Sequence, residues 1–157
     1  MLKENKIRSF NQEEMSFEQL VESIKKLGEL GYDFYVGADS QIIKNKISVV
    51  TCICAHKRTN GGRVFYVKER IPTSRLKTLR ARMMYEAYKS LEVALELEEF
   101  VTSKITIHLD IGYDPKRSPT HILKDELQFL IKSQGYDCEI KPYSWASSSV
   151  ADRFTKT

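Results

Sequence analysis

The feature that most constrains the fold is a run of three strand-like segments joined by links too short to hold a helix. The segments span residues 33–40, 46–56 and 63–71, with turn-forming residues at 44–45 and 59–62 between them. Short links of this kind join antiparallel strands, because a parallel pair needs a crossover of a dozen or more residues. We therefore predict a three-stranded antiparallel meander.

Helices and strands alternate after this meander. Apolar spacing predicts a long helix over residues 74–100, with its first turns partly loop, and then a strand over 104–110. A helix over 118–133, with a serine cap and a proline in its first turn, a short strand over 137–141 and a C-terminal helix from about Ser147 follow. Strands joined through helices run parallel. The expected architecture is an α/β fold with a mixed five-stranded sheet, three strands antiparallel and then two parallel, flanked by helices.

Residues 1–31 add an N-terminal extension and one further helix. Ser16 can cap this helix, Gln19 completes a capping box, and Gly31 ends it. A chain of 157 residues can bury one sizeable core but is short for two. We therefore expect a single domain over residues 1–157.

Neither a leader nor a membrane segment is evident in the sequence. Residues 1–14 lack the apolar centre of a signal peptide, and no stretch approaches the ~18 apolar residues that span a bilayer. We expect a cytoplasmic protein without a membrane partner. The three cysteines, Cys52, Cys54 and Cys138, lack the C-x-x-C spacing of a zinc site, which predicts reduced, packed thiols.

Basic residues are concentrated between Lys44 and Arg82. Eleven lysines and arginines lie there against the single acid Glu69, although the net charge of the whole chain is only +4. A local excess of positive charge suits the phosphates of nucleic acid, because binding releases condensed counterions. The alternative is a set of solvated lysines and arginines on strands and loops.

Four segments of the chain have a recognisable sequence: VGADSQ at 36–41, RMMYEAYKSLEVALEL at 82–97, HLDIG at 108–112 and KPYSWASSSVADRFTK at 141–156. In these segments the chain resembles the YkuK family of ribonuclease H-like proteins. The order of elements after the first helix is also the order of that fold.

The resemblance implies a site in which four carboxylates hold two Mg²⁺ or Mn²⁺ ions. Carried onto this sequence, the ligands are Asp39, Glu86, Asp110 and Asp152. By the same resemblance Asp39 bridges both ions, Glu86 and Asp110 bind the ion near the leaving group, and Asp152 holds the ion that activates water.

Local patterns are compatible with the two strand acids as ligands. Asp39 shares a strand face with Tyr35 and Gly37, and Gly37 leaves space beside it. Asp110 ends an apolar strand, where open α/β sheets place ligands. Each acid has a structural alternative, because Asp39 could cap a turn and Asp110 could cap the following loop.

The two helical acids are more ambiguous. Glu86 lies seven residues after Leu79 and therefore on the same face of the helix, so it should point inward if the helix is regular between them. Asp152 follows a run of serines that can cap a helix, and an acid in a first turn often only compensates the helix dipole. His108 shares a strand face with Asp110, but we interpret it as a packed, hydrogen-bonded residue.

Three functions fit these patterns. The first is a metal-dependent nuclease that hydrolyses phosphodiester bonds of RNA, DNA or an RNA-DNA hybrid at a two-metal site. The second is a non-catalytic nucleic-acid-binding module of the same fold. The third is a protein-interaction domain in which the four acids are only caps.

Overall fold

The computed structural model describes residues 1–112 and 114–156. Within these residues a seven-stranded mixed sheet forms the centre, in the order β2-β1-β5-β4-β3-β6-β7. The strands are β1 (Ile7–Ser9), β2 (Glu14–Met15), β3 (Asp33–Ile43), β4 (Lys46–Lys57), β5 (Gly61–Pro72), β6 (Ile105–His108) and β7 (Asp137–Glu139). The helices are α1 (Phe17–Glu29), α2 (Leu79–Leu97), α3 (Lys124–Ser133) and α4 (Asp152–Thr155), the last preceded by a π-helical turn, Ala146–Ala151.

The predicted fold class is confirmed, with a different number of strands. Strands β3, β4 and β5 form the antiparallel meander, while β6 pairs parallel with β3 and β7 pairs parallel with β6. The sheet has seven strands instead of five, because β1 and β2 pair antiparallel and β1 also pairs with β5. Strands of three and two residues are too short to show an alternating pattern in the sequence.

The expected capping box of α1 is present. Gln19 N–H donates to Ser16 Oγ at 3.1 Å, and Ser16 N–H donates to Gln19 Oε1 at 2.8 Å. The start of α2 lies later than residue 74: Thr73–Arg75 forms a separate 3₁₀ turn, and Thr78 caps the helix by accepting from Ala81 N–H. None of the helices in the described ranges has the length and apolarity needed to cross a bilayer.

One expected helix start and one expected helix cap are wrong, although the C-terminal helical turns begin at Ala146, close to the expected Ser147. Ser118 does not open α3, because its hydroxyl is engaged by Thr120 Oγ1 at 2.7 Å and the α-helix begins only at Lys124. The serines after Trp145 do not cap a helix either. The hydroxyls of Ser147 and Ser148 both donate back to the carbonyl of Ser144, at 3.0 and 2.8 Å.

The sheet is covered on both faces by different parts of the chain. Helices α1, α2 and α3 bury the larger core against one face. The C-terminal segment, residues 145–154, packs on the other face and buries side chains of β4 and β5. The three cysteines are buried free thiols, as expected, and Cys52 Sγ lies 3.0 Å from the carbonyl of Ala146.

At Gly37 the backbone of the C-terminal segment lies very close to β3. A Cβ atom at this position would lie 2.6 Å from the backbone nitrogen of Ser147 and 2.9 Å from the carbonyl carbon of Ala146. Only a residue without a side chain therefore allows this backbone to lie on the strand. The space predicted beside Asp39 is filled by the segment that carries Asp152.

We predict that Gly37→Ala destabilises the protein, because the new methyl group collides with backbone that cannot rotate away. Overpacking of this kind costs about 1 to 3 kcal/mol. Urea unfolding of the variant should show a lower free energy of unfolding than wild type.

The matched control is Gly28→Ala in α1, where a Cβ would meet only Phe34 at an ordinary 3.8 Å. That change should raise stability by up to about 1 kcal/mol, as expected for replacing glycine by alanine within a helix. Equal effects of the two substitutions would contradict the close contact at Gly37.

Candidate metal centre

Four elements bring the four acids to one end of the sheet. Asp39 lies in β3, Asp110 lies two residues beyond β6, and these two strands are parallel neighbours. Asp152 begins α4 and reaches the same edge. These three line one cleft of about 600 Å³, and Glu86 of α2 lies behind it, in a small cavity that Asp110 also lines.

Asp39 is buried without a hydrogen-bond donor on one oxygen. Its side chain is 6% exposed, and no described residue donates to Oδ2. Burial, the charge of Asp110 and contact with the Asp152 carboxyl raise the pKa of Asp39 to about 8. Because ionised carboxylates only accept hydrogen bonds, a buried acid beside other acids is stabilised by a proton or a cation.

Glu86 is held by a relay of two side chains. Ser40 Oγ donates to Glu86 Oε2 at 2.6 Å, and Arg82 donates to Ser40 through Nε to Oγ at 3.2 Å and through Nη2 to the carbonyl at 2.8 Å. Burial raises the pKa of Glu86 well above its ordinary value, against the opposing effects of the Ser40 hydrogen bond and the Arg82 charge. The inward direction predicted for Glu86 is therefore correct, and its side chain is 4% exposed.

Asp110 and Asp152 are each paired with cations of the chain. Lys141 Nζ lies 2.9 Å from Asp110 Oδ1. No described residue makes a hydrogen bond to that oxygen, so we interpret the contact as an ion pair whose angle does not suit a hydrogen bond. Asp152 accepts from Gln41 Nε2 at 3.1 Å, and Lys156 Nζ lies 3.4 Å from its other oxygen.

The acids meet but do not form a ready ligand cluster. In residues 1–112 and 114–156, no group of three or more His, Cys, Asp or Glu side chains is arranged to hold a metal ion. Ser40, Lys141 and Gln41 each contact a different carboxylate of the set. The all-oxygen donor set, with one buried Asp39 oxygen to which no described residue donates, nevertheless fits Mg²⁺ or Mn²⁺.

His108 lies outside the cleft, as the sequence interpretation has it. The ring is 1% exposed, Nδ1 accepts from Ala146 N–H at 3.0 Å, and the side chain packs on Trp145 and Tyr35. Burial lowers the pKa of His108 to about 4. The neutral ring anchors the start of the C-terminal segment.

Sequence reasoning missed three polar residues around the acids. Ser40, Gln41 and Lys141 each contact one of the four carboxylates. The first two directly follow Asp39 in the strand, which is a signal that could have found them. Lys141 is brought to Asp110 by the chain turn after β7, which the sequence pattern does not indicate.

The basic stretch from Lys44 to Arg82 is divided by the fold. Arg82 lines the cleft, together with Arg117 and Lys141. Arg58 and Arg63 lie instead around the β4–β5 turn, beside the start of β3 and about 20 Å along the strand from Asp39. The stretch therefore does not form one continuous surface.

We predict that the metal-free protein loses stability as the pH rises, through Asp39. The ordinary pKa of this group is 3.8 and the folded value is about 8, so between these values the native state holds a proton that the unfolded chain has released. The free energy of unfolding must therefore fall with rising pH across this window.

Thermal unfolding in EDTA from pH 5 to 8 measures this effect. Asp39→Asn should flatten the fall relative to wild type, because asparagine does not titrate. The control is Asp137→Asn, whose exposed side chain in β7 pairs with Lys104 at 3.8 Å. An Asp39→Asn protein with the wild-type pH profile would contradict the shifted pKa.

Comparison with known proteins agrees with the fold. A protein-family model described as Ribonuclease H-like matches residues 15–156. The chain is also similar to the uncharacterised protein YkuK of Bacillus subtilis (strain 168), with 27% identity in an alignment 168 positions long that covers 94% of this chain and 95% of that protein. The resemblance seen in the four segments is thereby confirmed. The chain belongs to the ribonuclease H-like family.

Proposed function

We propose that the protein is a metal-dependent nuclease that hydrolyses phosphodiester bonds at the cleft of Asp39, Asp110 and Asp152. The observation that carries the proposal is a cleft that Asp39, Asp110 and Asp152 line together, in which no described residue donates to one buried oxygen of Asp39. The rim of the cleft is cationic, with Arg82, Arg117 and Lys141. Membership of the ribonuclease H-like family supports nuclease-type chemistry, although fold alone does not fix a reaction.

In this proposal the four acids serve two metal ions, and Asp39 contributes to both. Asp39 and Asp152 would hold one Mg²⁺ or Mn²⁺ ion, and Asp39, Asp110 and Glu86 would hold a second. Such ions, when bound, activate water and stabilise the leaving oxygen of a phosphodiester. For Asp110 to act as a ligand, Lys141 must move from its 2.9 Å contact. The lysine side chain is half-exposed and can do so.

The surrounding side chains have separate tasks in this proposal. Ser40 and Arg82 fix the direction of Glu86, and Gln41 fixes that of Asp152. Arg117 and Lys141 line the cleft and can donate to the non-bridging oxygens of a phosphate. An acidic cluster repels a polyanion, so these cations would bring the substrate close.

One observation favours the alternative, a non-catalytic nucleic-acid-binding module. The Lys141–Asp110 ion pair neutralises one of the acids without a metal. A chain that had lost turnover could retain this arrangement and the basic rim. Cleavage and metal binding therefore have to be measured separately from nucleic-acid binding.

We predict that the protein cleaves labelled RNA, DNA or an RNA-DNA hybrid only with Mg²⁺ or Mn²⁺. Asp39→Asn and Asp110→Asn should each lower the rate by about 100-fold or more, as loss of a preorganised electrostatic group does. Gel analysis of the three substrate types measures this. Asp137→Asn is the charge-matched control and should cleave like wild type, and cleavage that survives in EDTA would exclude the metal mechanism.

We also predict that Mn²⁺ or Mg²⁺ raises the melting temperature, because the ions relieve repulsion among the buried acids. Binding at one hundred times the dissociation constant adds about 2.7 kcal/mol. The shift should be larger at pH 8 than at pH 6, since protons compete with metal at Asp39. Asp152→Asn should reduce the shift, and a flat response of wild type to both metals would contradict the proposed centre.

A further inference from the structure

A polar row crosses the sheet beside the metal cleft. Gln41 of β3 pairs with Ser48 of β4, and Ser48 pairs with Arg70 of β5, so the three side chains share one face. Neighbouring strands lie about 4.8 Å apart, which makes the row about 10 Å long. At one end Gln41 donates to Asp152. The row therefore starts at the proposed metal centre.

Two basic cavities meet at Arg70. One, of about 300 Å³, is lined by Ser48, Lys46 and Lys156 as well as Arg70. The other, of about 570 Å³, is lined by Lys68, Arg8 and Lys6 with the same arginine. Lys156 also contacts Asp152, which links the first cavity to the cleft. We call the two cavities together the basic groove.

The cations of the groove are only partly neutralised. Lys6 and Arg8 pair with Glu14, at 3.5 and 3.4 Å. No ion pair within residues 1–112 and 114–156 involves Lys46 or Arg70. The groove therefore carries positive charge that an anion would offset.

Lys68 shows that these charges are crowded. Burial lowers the pKa of Lys68, and the neighbouring charges of Arg70 and Arg8 lower it further. Like charges held this close repel each other unless an anion lies between them. Arg8, Lys68 and Arg70 thus line one cavity together, although Lys68 Nζ itself donates to the carbonyl of Phe154 at 3.0 Å.

Ser48 is an independent sign of a ligand in the groove. The residue is 3% exposed, and its Oγ finds no hydrogen-bond partner in the described part of the chain. A buried hydroxyl without a partner costs about 1 to 3 kcal/mol. Its position beside Arg70, in the wall of the cavity, suits a hydroxyl that donates to an anionic oxygen.

We propose that the basic groove binds the phosphodiester backbone of a nucleic-acid strand and leads it to the cleft of Asp39 and Asp152. This proposal rests on the proposed nuclease function. Two cavities that share Arg70, one lined by Lys156 and the other by Arg8, suit a chain of phosphates better than one small anion. From β3 to β1 there are three strand spacings, about 14 Å, which correspond to about four nucleotides at 3.4 Å each.

Binding without metal tests the groove separately from catalysis. The probe is a fluorescein-labelled single-stranded 20-mer, titrated with the protein in EDTA at 50 and 200 mM salt and followed by fluorescence anisotropy. The variants are Arg70→Gln, Lys46→Gln and Ser48→Ala. Arg58→Gln is the matched control, because it removes an exposed arginine of the same basic stretch at the far end of the sheet.

We expect each groove variant to bind the 20-mer several-fold more weakly than wild type, and Arg58→Gln to bind normally. Arg70→Gln and Lys46→Gln should each reduce the slope of log K against log salt by about 0.7, the value for one lost phosphate contact on a single strand. Ser48→Ala should melt at or above the wild-type temperature, because it removes an unpaired buried hydroxyl, so its weaker binding would not reflect unfolding.

Two results would overturn the groove. One is equal affinity of Arg70→Gln and Arg58→Gln for the 20-mer. The other is that a trinucleotide, or inorganic phosphate used as a competitor, binds as tightly as the 20-mer, which would indicate a site for a small anion.

Cleavage and binding together distinguish the groove proposal from the nuclease proposal. Metal-dependent cleavage with unchanged binding by the groove variants would contradict the groove and leave the nuclease proposal intact. Loss of binding in those variants without any cleavage would support the groove and contradict the nuclease.

Discussion

The contact between Gly37 and the backbone of residues 146–147 is the constraint on which the site depends. It lets the C-terminal segment lie directly on β3, so that Asp152 reaches the carboxyl of Asp39. His108 supports the same contact from the next strand by accepting from Ala146 N–H. An acid from the end of the chain and an acid from the first long strand thus meet because one residue lacks a side chain.

The electrostatics of the cleft follow from this packing. Burial and mutual repulsion raise the pKa of Asp39 and of Glu86, while Lys141, Arg82 and Lys156 supply positive charge close by. The chain therefore balances its acids with its own cations in the absence of metal. The balance is incomplete at Asp39, because no residue in the described part of the chain donates to its buried oxygen.

The parts of the fold that the sequence predicts are those with strong local signals. The meander, the capping box at Ser16 and the inward face of Glu86 follow from alternation, side-chain chemistry and helical spacing. The two N-terminal strands and the true start of α3 do not, because tertiary pairing and the Ser118–Thr120 contact decide them. The Lys141–Asp110 pair likewise depends on a chain turn, and no periodic pattern in the sequence predicts it.

The short N-terminal strands have a consequence for the protein in crowded solution. Strand β5 is twelve residues long and would be an open edge of the sheet without β1, which pairs with Phe65, Tyr66 and Val67. Long unpaired edges recruit strands from other molecules and start aggregates. Strand β1 covers only three of these twelve residues, so the rest of the β5 edge needs another protection. Arg63, Lys68 and Arg70 lie along it, and charged side chains on an edge strand disfavour pairing with a second molecule.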